Sequence, residues 1–316
     1  MSTDSLPLGW SRAFSAKAKR HFFCWESPAS AKDSKPERFV QWIPPPPKMV
    51  VPLKPSTPNS LARLWRAYEG KAQAWLLALG CKALDKPPTS GLDVGCGALS
   101  TAPVWAGAGV RTLAGVDLRP DRLLRARDSA ATSALLRPQL RCADVTRTTP
   151  ARIGLSVSSA DVAMLWNVLA EVGSCHENLV ATLRFAAMAV RQGGVVLAAW
   201  PSQDALLPAW ESSMHRLSTA VGMLQVVDRR RFTLSEDGEM AFYLVSQANV
   251  GAAAREVGVE CVSCGLSLPR DLAGKLPAPV DSLCKLTAWC VLAVPEPEST
   301  FVTASLPDEP ATGAGT

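Results

Sequence analysis

The run Leu92-Asp93-Val94-Gly95-Cys96-Gly97 reads as an apolar strand ending in a turn of small residues, where backbone can approach a ligand closely. About twenty residues further on, Leu113-Ala114-Gly115-Val116-Asp117 ends in a carboxylate, the spacing at which an acid accepts both hydroxyls of an adenosine ribose. Cys142-Ala143-Asp144-Val145 places an acid after a third strand, able to accept from an adenine amine while Val145 covers the ring. Leu165-Trp166-Asn167 closes a fourth. All four lie at carboxyl ends of strands, where open parallel sheets bind ligands. Ala98, Leu99 and Ser100 supply no third glycine, so the turn does not continue into a pyrophosphate site at a helix N-terminus. A phosphate-free adenosine derivative, S-adenosylmethionine, fits this pattern better. Taken singly, Asp117 and Asp144 have a plainer role as caps of the helix or turn that follows.

The elements that position these residues alternate. Apolar residues at helical spacing from Leu61 to Leu79 predict a helix over Ser60 to Leu79 in front of the core. Then come strands at Ser90 to Val94, Thr112 to Val116, Gln139 to Cys142, Asp161 to Leu165 and Gly194 to Ala199. Helices from about Leu99 to Ala106, Asp121 to Leu135 and Glu177 to Arg191 separate them. This order predicts an α/β fold, a mostly parallel sheet with helices on both faces. Phe232 to Leu234, Tyr243 to Val245, Glu260 to Leu266 and Leu286 to Val294 read as later strands, with a helix at Asn249 to Val257.

Residues 1–58 are rich in Lys, Arg, Ser and Pro, with four prolines at Pro44 to Pro47, and read as a basic, extended lead segment. Trp10, Phe22, Phe23, Trp25, Phe39 and Trp42 interleave with its basic residues. Docking on the domain is the first reading of that pattern and stacking on a single nucleic-acid strand the second. Residues 59–294 form the domain, and 295–316 are expected to be a disordered tail. A chain of 316 residues, 47% hydrophobic, can bury one sizeable core. Nine scattered cysteines suggest reduced thiols and a cytoplasmic location. No stretch approaches the ~18 apolar residues of a membrane span, so no membrane partner is expected. A net charge of +5 suits an anionic partner and an ordinary enzyme surface alike.

With these residues in this order, the chain resembles the class I S-adenosylmethionine-dependent methyltransferases, and residues 58–294 are similar to the mRNA cap guanine-N7 branch. The resemblance implies a Rossmann-like, mostly parallel seven-stranded sheet and methyl transfer to N7 of the guanine cap of mRNA. It assigns Lys71, Asp93, Gly95, Gly97, Asp117, Leu118, Asp144, Val145 and Trp166 to the cofactor. Lys71 contacts the methionine carboxylate in that assignment. Asn167 and Glu171 stand at the acceptor, and Glu239, Phe242 and Tyr243 belong to the segment over the guanine. Capped RNA and RNA polymerase or other capping components are the implied partners, with a virus-associated protein among the implied sources. Where the family has a histidine and an aromatic residue after the fourth strand, this chain has Ala170 and Glu171; where it has a guanine-reading glutamate, this chain has Phe242. A small-molecule or protein methyltransferase, or a catalytically silent RNA-binding relative, is the alternative.

Cys261 and Cys264 form one Cys-x-x-Cys pair without a second pair or nearby histidine, so no metal is expected. Arg119, Arg122, Arg125 and Arg127, and the run Arg229-Arg230-Arg231, are read first as solvated faces and second as an RNA-phosphate groove.

Overall fold

The computed structural model describes residues 10–18, 20–26, 38–41, 60–131, 138–213, 225–228, 231–233, 241–269, 272 and 284–296. Glu239, Trp42, Pro44 to Pro47, Arg229, Arg230 and the tail from 297 onward lie outside them. The strands are β1 (Trp10–Ser15), β2 (Arg20–Glu26), β3 (Arg38–Gln41), β4 (Ser90–Val94), β5 (Thr112–Asp117), β6 (Gln139–Cys142), β7 (Ala160–Trp166), β8 (Val190–Pro201), β9 (Gln225–Asp228), β10 (Arg231–Thr233), β11 (Ala241–Tyr243), β12 (Glu260–Gly265) and β13 (Thr287–Ala293). The helices are α1 (Ser60–Cys81), α2 (Ala102–Gly107), α3 (Pro120–Ala131), α4 (Val168–Val172), α5 (His176–Ala189), α6 (Gln203–Ser213) and α7 (Gln247–Val257).

Seven strands form one sheet in the order β12-β13-β8-β7-β4-β5-β6. From β8 to β6 neighbours run parallel, whereas β13 is antiparallel to β8 and β12 to β13. Every residue of β7 is buried, as expected for a central strand covered on both faces, which therefore reads as an unbroken apolar run. Two apolar clusters follow from that double coverage. On one side Phe185, Trp200, Leu206 and Ala253 pack with the faces of α4, α5 and α7; on the other, Tyr68, Leu76, Trp105 and Leu123 pack with those of α1, α2 and α3.

Registry brings the strand ends level. Val94 pairs with Val116 and with Leu165, Asp117 with Cys142, and Trp166 with Ala199. The segments picked out in sequence thus share one edge of the sheet. At the opposite edge Asp161 ties three strands together: Oδ2 accepts from the Thr89 and Ser90 amides at 2.8 and 3.0 Å, and Oδ1 from Arg191 Nε at 2.7 Å.

The amino-terminal residues depart from the reading as an extended lead. β1, β2 and β3 form a three-stranded antiparallel sheet. Trp10, Trp25 and Phe39 lie on one of its faces, since Trp10 pairs with Trp25 and Trp25 with Phe39, and all three are buried with Tyr68 and Leu123. Composition hid this period-two pattern because lysine, arginine and proline dilute it. The structure also contains α4 and α6, which lack a clear sequence signal; Pro208 stands inside α6, where it ordinarily argues against a helix.

Candidate functional site

The glycine turn is held by its neighbour strand. The Gly95 and Cys96 amides both donate to the Val116 carbonyl, at 2.7 and 3.0 Å. Gly95 (φ +70°) and Gly97 (φ +53°) both occupy the left-handed region that glycine adopts without strain, but for different neighbours. A Cβ on Gly95 would stand 2.4 Å from Val168 Cγ2, so the chain itself packs against it, whereas at Gly97 the nearest atom would be Arg122 Cδ at 4.0 Å. Gly97 is where the turn leaves room for a ligand.

Asp117 stands beside that room. Its Oδ2 accepts from the Gly97 amide and its Oδ1 from the Arg119 amide, both at 2.8 Å. Each oxygen keeps a second lone pair. Burial pushes the carboxyl up, opposed by the Arg122 charge and the two amide bonds. Arg119 is committed elsewhere, its guanidinium gripping Asp121 at 3.1 and 2.9 Å, and Arg125 bonds the same carboxylate at 3.0 Å. The arginine cluster after the second parallel strand is therefore partly an internal ion-pair network.

Several residues that the resemblance assigns to the site meet a different geometry. Asp93 points at the start of α2, its Oδ2 accepting from Thr101 Oγ1 at 2.8 Å and Trp105 Nε1 at 3.3 Å. It braces strand to helix. Burial lifts it to about 6, those two bonds pulling down and Asp117 pushing up. Asp144 turns one oxygen onto the Thr146 amide and hydroxyl, at 3.0 and 2.6 Å, the plainer capping role; its other oxygen is 3.5 Å from Arg147. Val145 is buried and Leu118 half-buried. Lys71 is exposed on α1, about half a turn around the helix from Glu69, and it is Glu69 that meets Trp166, accepting from its indole at 2.5 Å. Phe242 is a core side chain, 5% exposed, so it does not offer a face to an acceptor; Tyr243 beside it is half-buried.

Asn167 and Glu171 come together at the end of β7. Asn167 has φ +63° and makes no side-chain cap bond to the helix it precedes; its amide donates to Ala199 at 2.7 Å and its carbonyl accepts from the Glu171 amide at 3.3 Å. Glu171 opens to solvent yet is ringed by protein. Desolvation lifts its carboxyl to about 7, with Arg122 and Arg119 opposing and Asp117 adding to the rise. Water in the open crevice screens part of that shift, and a ligand that displaces the water restores it. Sequence reasoning missed Glu69 and Thr101 as neighbours of the site, and it read Arg122 only as one of a basic cluster.

Comparison with known proteins agrees with this fold. Residues 92–198 match the family model described as a methyltransferase domain. No curated protein matches the chain. Among solved structures, a S-adenosylmethionine-dependent methyltransferase from Clostridium acetobutylicum is similar at TM-score 0.50 and 13% identity, over 74% of this chain and 96% of that one. Streptomyces venezuelae DesVI is similar at 0.50 and 18%, over 75% and 96%. The PH0226 protein of Pyrococcus horikoshii is similar at 0.52 and 14%, over 75% and 93%. The fold is that of a class I methyltransferase. The Clostridium acetobutylicum protein is described as S-adenosylmethionine-dependent, and the residues here are of a kind that fits such a nucleoside: a buried carboxylate with spare lone pairs beside a glycine whose missing Cβ leaves open space. Among the described residues no group of three His, Cys, Asp or Glu side chains is arranged to hold a metal ion, and no helix is long and apolar enough to cross a membrane.

Proposed function

We propose that this chain binds S-adenosylmethionine in the crevice at the carboxyl edge of β4, β5 and β7 and transfers its methyl group to an acceptor lodged at Asn167 and Glu171. The observation that carries the reading is the pairing of Asp117 with the Gly97 amide at 2.8 Å, which aims a buried carboxylate at the open side of the glycine turn. Asp117 takes the ribose hydroxyls, Gly97 lets the nucleoside come close, Val145 covers the adenine, and the Asp144 oxygen that also faces Arg147 receives its amine. The cofactor supplies an electrophilic methyl when bound. The chain's own part is to hold the acceptor in line, which alone accounts for much of such an acceleration.

Glu171 has a role in either acceptor class. Near neutral pH its carboxyl, lifted to about 7, is suited to accept a proton from a hydroxyl or amine as the nucleophile forms its new bond. That favours a small-molecule acceptor with a removable proton. The second reading, N7 of a guanine cap on RNA, is favoured by the same residue in another role: N7 needs no base, and an ionised Glu171 supplies the carboxylate that guanine's N–H edge requires where the family's glutamate is replaced by Phe242.

Isothermal titration tests the cofactor half: wild type binds S-adenosylmethionine, and Asp117→Ala loses about 3 kcal/mol, roughly a hundredfold, for the charged hydrogen bonds removed. Equal affinity in the two proteins refutes the ribose role. Labelled cofactor incubated with capped RNA, uncapped RNA, free nucleotides and a panel of small hydroxyl and amine compounds tests the acceptor. Label on capped RNA alone selects the second reading, and label on the small compounds selects the first.

A further inference from the structure

The edge strand β12 carries an irregularity that regroups its side chains. Cys261 lies opposite Leu292 and Cys264 opposite Cys290, with a register shift between Cys261 and Ser263. Three steps along β12 therefore match two along β13, as at a β-bulge. In a regular strand residues three apart point to opposite faces; here both cysteines align with positions two apart on β13, which share a face. Both are exposed, and their thiols are within hydrogen-bonding reach of each other. Across from Cys264 on β13, Cys290 is buried and feels the charge of both. A separation of about two strand steps, roughly 6.6 Å, falls within the Cα range a disulfide accepts.

We propose that Cys261 and Cys264 are a redox-active dithiol, a modification site that closes to an intrastrand disulfide by exchange with a low-molecular-weight disulfide. One protein thiolate attacks a sulfur of the external disulfide and expels one thiolate, leaving a mixed disulfide. The second protein thiolate attacks the protein-side sulfur of that bond and expels the other thiolate. The two protein sulfurs are oxidised, the external disulfide is reduced to two thiols, and the two protons lost from the cysteines end on those thiols. β12 sits at the end of the sheet order, and the intervening Val262 is 55% exposed, so an external disulfide has access. Gln247 Nε2 donates to the Gly265 carbonyl at 3.0 Å and holds the end of the strand while the bulge supplies the slack. Burial first, and then the neighbouring Cys264, push the Cys261 thiol up, so exchange quickens as pH rises from neutral towards 9.

Trypsin cleavage after Arg255 and Arg270 gives a peptide, 256–270, that contains these two cysteines and no other. The folded protein is treated with glutathione disulfide, quenched with N-ethylmaleimide, digested and weighed. The proposal expects this peptide to take up no maleimide and to weigh about two mass units less than its unlabelled dithiol form, which a reductant restores. Cys261→Ser and Cys264→Ser should each instead keep one glutathione, as should the exposed Cys175 elsewhere in the chain. Two glutathiones on the wild-type peptide, one that persists, or no change while Cys175 reacts would each overturn the proposal.

Discussion

Gln41 at the end of β3 bonds both backbone groups of Cys142 at the end of β6: its Oε1 accepts from the Cys142 amide at 3.1 Å and its Nε2 reaches the carbonyl at 3.5 Å. The side chain takes the place of one more strand residue on an open sheet edge, and it is itself 4% exposed. The amino-terminal sheet is thereby fastened beside Ala143 and Asp144.

Gln41→Ala leaves that buried amide and carbonyl unpaired, a loss of about 1–3 kcal/mol. The expected outcome in chemical denaturation is a lower midpoint with an unchanged slope. Gln41→Glu keeps the acceptor but turns a buried carboxylate oxygen onto the Cys142 carbonyl, so it should lie well below wild type at neutral pH and recover as acid protonates the carboxyl. Equal stability of all three would show that the contact does not fasten the sheet.

Gly95 and Gly97 should respond differently to the same substitution. Gly97→Ala places a Cβ in open space at φ +53°, so its stability cost is the left-handed conformation, about 1–2 kcal/mol, while cofactor affinity drops sharply. Gly95→Ala adds a 2.4 Å collision with Val168 and should be the less stable protein. Val168→Ala in the same chain removes the colliding methyl, so the double variant should be more stable than the sum of the two single losses. Thermal melts and cofactor titrations of the four variants check this.

The strands β4, β5 and β7 were legible because each is a largely apolar run closed by Gly95, Asp117 or Asn167, and β4 and β6 form over the residues expected. What the runs did not reveal is which way a terminal side chain turns. Asp93 and Asp117 look alike in sequence, yet Asp93 faces α2 through Thr101 and Trp105 whereas Asp117 faces the glycine turn. Trp166 meets Glu69 across a separation of 97 residues, a contact only the sheet order creates. The amino-terminal strands were obscured for a related reason: Trp10, Trp25 and Phe39 share a face by cross-strand pairing, which no local window displays.

Glu171 links activity to pH. With its carboxyl lifted to about 7, a general-base role predicts that kcat/KM rises through neutral pH and levels above it, while Glu171→Gln is slower by about 10²–10⁴-fold and flat over that range. Stability runs the other way. The folded state holds the proton that the unfolded chain, at the ordinary carboxylate value, releases earlier, so Glu171's contribution is full in acid and is lost as pH rises from that ordinary value towards about 7, the lower part of the window applying while water fills the crevice. Glu171→Gln should therefore melt above wild type at pH 8, with the gap closing towards pH 4. A melting difference independent of pH would remove the raised carboxyl from the account.

Asp161 gives the opposite dependence, at the far edge of the sheet. Burial alone would raise its carboxyl, but Arg191 and the Thr89 and Ser90 groups outweigh that and hold it well below the usual range. Arg191 also reaches Asp85 at 2.7 Å, so one guanidinium ties the start of β8 to the segment before β4 and to the start of β7. Asp161→Ala strands the two amides and the guanidinium together, a loss of about 3–5 kcal/mol near neutral pH. Because the folded carboxyl is depressed, this stabilisation is present above the unfolded value, about pH 4, and shrinks as acid carries the pH below it. Denaturation of wild type and Asp161→Ala between pH 7 and pH 2 should show two curves that lie apart at neutral pH and converge in acid. Since the residue lies at the sheet edge away from the crevice, cofactor affinity measured well below the variant's melting temperature should be unchanged; parallel curves, or a lost cofactor site in a folded variant, would contradict this assignment.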